Sequence, residues 1–161
     1  MCSMEGKKWE GKVCTTLSKA TADQIWSLYK DFFNLHKWFT GLETSYGIYG
    51  SNGELGCVRY CLGCSIPTSD GCAAWSKEKL VAIDESNLSL SYEIVDSNIG
   101  FNSYVSTVRV SPAGAADHGC MIEWSFVVDP VNGWRVEDLL RKYQLGLESM
   151  AMKMEEAVIS A

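Results

Sequence analysis

The stretch from Val131 to the C-terminus constrains this chain most. Val136, Leu139, Leu140, Tyr143, Leu147, Met150, Ala151, Met154 and Val158 recur at three- and four-residue steps, the pattern of one long amphipathic helix. Pro130 closes the preceding segment, Asn132-Gly133 supplies a turn, and Glu137 and Asp138 put negative charge in the first helical turn, where the helix dipole favours it. About 24 helical residues at ~1.5 Å each span roughly 36 Å, the width of a small domain. Burying nine such side chains is a gross term on the order of 20 kcal/mol, so the rest of the chain must cover this face. Met150, Met152 and Met154 are adaptable side chains suited either to plain core packing or to lining an irregular cavity.

Upstream, Lys8 to Leu17 alternates Trp9, Gly11, Val13, Thr15 and Leu17 against Glu10, Lys12 and Cys14, as a strand with one buried face does. Thr21-x-x-Gln24 has capping-box spacing and opens a helix whose apolar face is Ile25, Trp26, Leu28 and Tyr29. A second short helix is expected over Asn34 to Phe39, which concentrates Phe32, Phe33, Trp38 and Phe39 in one region, as if to close one end of something. From Leu42 to Val128 the period changes to two, with turns at 50–53, 84–87, 98–100 and 113–114. The clearest strands carry Leu88, Leu90, Tyr92 and Ile94, and Ile122, Trp124, Phe126 and Val128. The expectation is an α+β domain over residues 1–161, in which a curved antiparallel sheet of six or seven strands wraps the final helix. Such a sheet cannot press on the helix everywhere, and a cavity between them is expected, lined from Trp38, Phe39, Tyr92, Tyr104, Trp124, Tyr143, Leu147 and Met150.

Charge and cysteine usage narrow the functions. The formal net charge is −6 and the basic residues are scattered, which argues against nucleic acid or an anionic membrane surface as partner. The first eight residues carry no apolar signal-like core, and no apolar run approaches the ~18 residues of a membrane span; a soluble, cytoplasmic protein is expected. Its protein partners are not specified by any motif. The seven cysteines are an odd number, which favours reduced thiols. Cys61-x-x-Cys64 invites a zinc reading, yet His36 and His118 lack metal-ligand spacing to that pair. No metal and no other cofactor is expected.

Ala74 to Ile83 is the informative strand, because Lys77 and Lys79 share one face while Ser76, Glu78, Leu80 and Ala82 share the other. If the lysines face water, Glu78 faces inward, where a carboxylate is costly unless paired or hydrogen-bonded. Arg59, in the preceding strand, is the candidate partner. Periodicity leaves its direction open, since Val58, Tyr60 and Leu62 form the more apolar face. The plain alternative is a surface salt bridge without function.

Five stretches in order, namely Trp9-Glu10-Gly11-Lys12-Val13, the run from Trp26 through Asp31-Phe32-Phe33-Asn34-Leu35-His36-Lys37, Gly56-Cys57-Val58-Arg59-Tyr60, Trp75 through Asp84, and Trp124-Ser125-Phe126, together resemble the plant lachrymatory factor synthase family. That family belongs to the START and birch-pollen-allergen superfamily, also called polyketide cyclase/dehydrase-like. The resemblance implies the helix-grip fold and an enzyme that rearranges a small unsaturated sulfenic acid into a thial S-oxide. By motif its two catalytic residues are Arg59 and Glu78, and it implies that Arg59 faces inward. The chemistry is sensible: a carboxyl in apolar surroundings can shuttle a proton, and a guanidinium can hold a developing oxyanion. The segment Cys64 to Cys72 is about two residues longer than the corresponding connection in the synthases and differs in sequence. The Ser-Gly-Leu-Pro-Ala gate and His-Arg-Leu latch of abscisic acid receptors, which share the fold, do not occur. Gly47-x-x-Gly50-x-x-Gly53 is explained by a hairpin turn. Two readings stand: an isomerase acting on a small hydrophobic or sulfur-containing metabolite through Arg59 and Glu78, and a non-catalytic carrier or sensor of a lipid or hormone-like ligand.

Overall fold

The computed structural model describes residues 7–63, 72–113 and 119–160. Its elements are β1 (Trp9–Leu17), α1 (Ala22–Lys30), a 3₁₀ helix (Phe32–Lys37), β2 (Thr44–Tyr49), β3 (Val58–Leu62), β4 (Trp75–Asp84), β5 (Ser89–Ser97), β6 (Val105–Pro112), β7 (Cys120–Val128) and α2 (Val136–Ile159). The seven strands form one antiparallel sheet in the order β1-β7-β6-β5-β4-β3-β2, so the first strand closes against the last and β2 forms the far edge.

β1 buries Val13 and Leu17 and half-buries Trp9, Gly11 and Thr15 while its other residues stay in water, following the alternation of its sequence. Gly11 is required there by packing. A Cβ at this position would lie 2.6 Å from both Leu140 Cδ2 and Phe126 Cζ, so its absence lets α2 settle on the strand. The capping box of α1 forms as its spacing predicts: Gln24 N–H donates to Thr21 Oγ1, and Gln24 Oε1 accepts from Thr21 N–H. The second helix differs from expectation. It is a 3₁₀ helix that begins two residues earlier, at Phe32, with Asn34 out of helical geometry, because Asp31 Oδ1 accepts from the Asn34 and Asn52 side chains and holds the turn tight.

α2 buries Leu139, Tyr143, Leu147, Met150, Ala151 and Met154, as its period predicts. Met152 instead points to solvent, since two residues from Met150 is a rotation of roughly 200°. Glu155 accepts from the Lys19 and Ala20 backbone N–H groups and pins the C-terminal half of α2 to the β1–α1 connection.

Curvature comes from irregularities in pairing. Register shifts occur between Lys77 and Glu78 and between Leu80 and Ala82 along β4, and between Gly47 and Tyr49 on β2, each bending the sheet and increasing its twist. The shift after Leu80 corrects one expectation. Ala82, predicted inside, is exposed, and Ile83 packs on the core in its place. Leu88 is a turn residue with φ +50° rather than the first residue of β5. The curved sheet holds its inner side off α2, and α1 and the 3₁₀ helix cover the open end.

Candidate functional site

An internal cavity of about 100 Å³ lies between the sheet, α1, the 3₁₀ helix and α2. It has room for several water molecules or a compact organic molecule, at roughly 10–15 Å³ per water. Drug-sized ligand pockets occupy about 300–1,000 Å³, so the space favours something small. Aromatic and aliphatic side chains form most of its wall, and the charged pair is the exception.

Arg59 on β3 stands directly opposite Glu78 on β4, which brings the two side chains to the same face of the sheet. Arg59 Nε donates to Glu78 Oε1 at 2.8 Å and Nη2 lies 2.7 Å from the same oxygen. Nη1 donates to the Phe32 carbonyl at 2.9 Å, so the 3₁₀ helix is tied to the pair. On the carboxylate, Oε2 accepts from Ser76 Oγ at 3.0 Å, and Oε1 lies 3.8 Å from the Cys61 thiol. The guanidinium carbon sits 3.8 Å from the centre of the Phe32 ring and 4.8 Å from that of Tyr92, so aromatic faces flank the cation. The two side chains are 5% and 12% exposed, which separates this pair from a surface salt bridge.

Burial is the largest single influence on Arg59 and disfavours its charge, but the opposing carboxylate of Glu78, together with Cys61 and Tyr92, outweighs it, so the guanidinium holds its proton more tightly than usual. Three of its five N–H groups are engaged, leaving two that no described residue occupies. Tyr92 and Tyr104 of the wall are neutral phenols. Burial, reinforced by Glu78, pushes Tyr92 up to about 12, and burial beside Tyr143 pushes Tyr104 well above its ordinary value. Tyr104 and Tyr143 join hydroxyl to hydroxyl across the space between sheet and helix. Trp124 stacks on Tyr143 at 4.3 Å and donates its indole N–H to Ser106 Oγ.

The polyketide cyclase / dehydrase and lipid transport family model matches residues 12–155. The chain belongs to that family. The ginseng major latex-like protein 151 from Panax ginseng superposes with a TM-score of 0.71 at 23% identity, covering 92% of this chain and 97% of the ginseng chain. XoxI from Bacillus cereus gives a TM-score of 0.69 at 18% identity, covering 92% and 94% of the two chains. At these identities the two structures speak for the fold, the sheet-and-helix grip described above. Family membership and the apolar cavity together point to binding of a hydrophobic ligand.

Of the side chains expected at the cavity from sequence, Phe39, Tyr92, Tyr104, Trp124, Tyr143 and Met150 line it, together with Arg59 and Glu78. Trp38 and Leu147 do not. The end of the 3₁₀ helix turns Phe39, not Trp38, edge-on to Trp124 at 6.0 Å. Leu147 is completely buried in the core; four residues after Tyr143, it is rotated by roughly 40° from that side chain, whereas Met150 is displaced only ~20° the other way. Tyr29, Phe32, Cys61 and Ser76 also reach the wall. The period of α1 placed Tyr29 on the buried face, and the shared parity of Cys61 with Arg59, and of Ser76 with Glu78, was the signal for the other two. Among the described residues no group of three or more histidine, cysteine or acidic side chains is arranged to hold a metal ion, and no helix is long and apolar enough to cross a membrane. Cys64, His118 and the connection at 64–71 lie outside the described residues.

Proposed function

We propose that the protein binds a small, largely apolar metabolite in its internal cavity and isomerises it by proton transfer, in the manner of lachrymatory factor synthase, with Arg59 and Glu78 as the catalytic residues. The observation that carries this reading is the buried ion pair set in the wall of an otherwise apolar cavity. For an unsaturated sulfenic acid, the carboxylate of Glu78 takes the proton of the S–O–H group. The C=C π pair takes up a proton at the carbon β to sulfur, forming the new C–H bond, while a lone pair on sulfur closes the C=S bond, and the product is a thial S-oxide with the same atoms. The two unspent N–H groups of Arg59 hold the negative charge that develops on oxygen during the transfer. The limited volume favours this over carriage of a long lipid or a polycyclic hormone, which would need a cavity several times larger.

The test is Glu78→Gln, which preserves shape and most hydrogen bonding but removes the proton acceptor. Isomerisation of an alkenyl sulfenic acid, followed by formation of the S-oxide, falls by about 10²–10⁴-fold in the variant if Glu78 is the general base. Undiminished turnover in the variant removes Glu78 from the mechanism. Absence of turnover in the wild-type protein, with a small apolar molecule seen by native mass spectrometry, supports the carrier instead.

A further inference from the structure

The inner face of α1 repeats at helical spacing: Ala22, Ile25, Trp26 and Tyr29 are buried. Three of these are hydrocarbon or, for Trp26, have their polar atom satisfied, since the indole N–H donates to Glu85 Oε1 at 2.9 Å. Tyr29 differs. Its side chain is 7% exposed, and its hydroxyl is shielded from solvent yet has no hydrogen-bond partner among the described residues. A buried hydroxyl in that condition loses its hydration and gains nothing in exchange from the protein, so native structures rarely leave one unexplained. Tyr29 belongs to the wall of the cavity. Burial also drives its ionisation far above the ordinary tyrosine value, with Tyr92 and Cys120 adding to the effect, so the group is a neutral phenol whose stronger role is donor. Its electrostatic neighbours are Tyr92 and Cys120 rather than Arg59 and Glu78.

We propose that the Tyr29 hydroxyl is a ligand-recognition group that donates a hydrogen bond to an oxygen of the molecule in the cavity, at a point separate from the Arg59–Glu78 pair. This rests on the reading of the cavity as a ligand site and makes that reading narrower. The ligand that satisfies both points is a compact molecule with two polar ends joined by an apolar body, one end facing the ion pair and the other a neutral oxygen acceptor such as a carbonyl, sulfinyl or ether oxygen. It therefore carries one oxygen function more than a plain alkenyl sulfenic acid.

Tyr29→Phe tests this with two ring probes of nearly equal size: the para-dione of cyclohexane, whose carbonyls sit at opposite ends, and cyclohexene, which has no acceptor. Affinities are read by ligand-observed NMR on the wild-type protein and the variant, alongside the thermal unfolding midpoint. The expected result is that the dione binds the variant about three- to tenfold more weakly while cyclohexene changes by less than about twofold. The unfolding midpoint of the variant is not lowered, because the lost hydroxyl had no protein partner. Unchanged dione affinity overturns the proposal, as does equal weakening of both probes with a lowered midpoint, which marks the hydroxyl as structural. If neither probe binds the wild-type protein, the ligand-site reading falls and this proposal with it; if both bind and the dione is indifferent to Tyr29→Phe, only this proposal falls.

Discussion

A guanidinium with so little exposed surface is tolerated because Glu78, the Phe32 carbonyl and two aromatic faces surround it. Removing one member of the pair is therefore worse than removing both. Arg59→Ala strands the Glu78 carboxylate beside Ser76 and is expected to lower the unfolding free energy by about 3–5 kcal/mol in urea titrations. Replacing both, Arg59→Met with Glu78→Leu, is expected to leave stability within about 1 kcal/mol of the wild type or to raise it, because the desolvation of two charges disappears along with their attraction. If the double variant is instead as unstable as Arg59→Ala, the pair is there to hold the fold and the functional argument for retaining it is lost. Glu78 was legible in the sequence because Lys77 and Lys79 fix the parity of its strand. Arg59 was not, and the reason is on the outer face of β3: Tyr60 stacks between Tyr46 and Trp75, and Lys77 lies over Trp75. That outer aromatic ladder makes the solvent side of the strand look like the buried one. Only the family resemblance pointed Arg59 inward, and the ion pair agrees with it.

At the level of elements, the devices that shape the site are close approaches and turns that a hydropathy pattern does not record. Gly47 on the edge strand is one, since a Cβ there would run into the Phe33 ring. Gly47→Ala is expected to cost about 1–3 kcal/mol by displacing the 3₁₀ helix that carries the Phe32 carbonyl, and to weaken ligand binding at the same time; a variant that unfolds like the wild type shows that the ring has room to move. The β4–β5 turn is another. Asp84 Oδ1 accepts from the Ser86 hydroxyl, Ser86 N–H and Asn87 N–H, and Oδ2 accepts from the Asn87 amide. The next residue, Glu85, pairs with Lys30 and Trp26, so this turn also anchors α1. Those bonds, led by Ser86 and Asn87, lower the Asp84 carboxyl to about 2. A folded value below the unfolded one of ~3.9 means its contribution is complete above about pH 4 and fades as pH falls toward 2. Thermal unfolding of Asp84→Ala against wild type is expected to show a midpoint gap at neutral pH that closes by about pH 2. A gap independent of pH would assign the effect to turn geometry alone. The register shifts on β2 and along β4 were equally hidden, because one extra residue leaves the alternation on either side intact and only changes its phase.

Across the whole molecule, the large features were readable and the size of the cavity was not. The nine-residue apolar stripe required a sheet to receive it, the period-two region supplied one, and the chain order of the elements allowed little else. How far sheet and helix stand apart depends on the bends in β4 and on which side chains bridge the gap, and sequence gives neither. Tyr104 on the sheet side meets Tyr143 on α2, while Met150 reaches the same wall two turns further along the helix and is completely surrounded. The Tyr104–Tyr143 contact bridges the sheet side and the helix, and Met150 is a further side chain of α2 in the cavity wall. Met150→Ala therefore enlarges the space without disturbing the Arg59–Glu78 pair. The expected cost is about 2–5 kcal/mol, seen as a lower unfolding midpoint, since truncating a buried methionine leaves a void that relaxes only in part. In a homologous series of straight-chain ketones, the longest that binds is expected to grow by two or three carbons in the variant, matching the side-chain atoms removed. Wild type and variant with the same length limit, despite the loss of stability, would show that the void opens into the core rather than into the ligand space, and would move the size-limiting wall from α2 to the sheet.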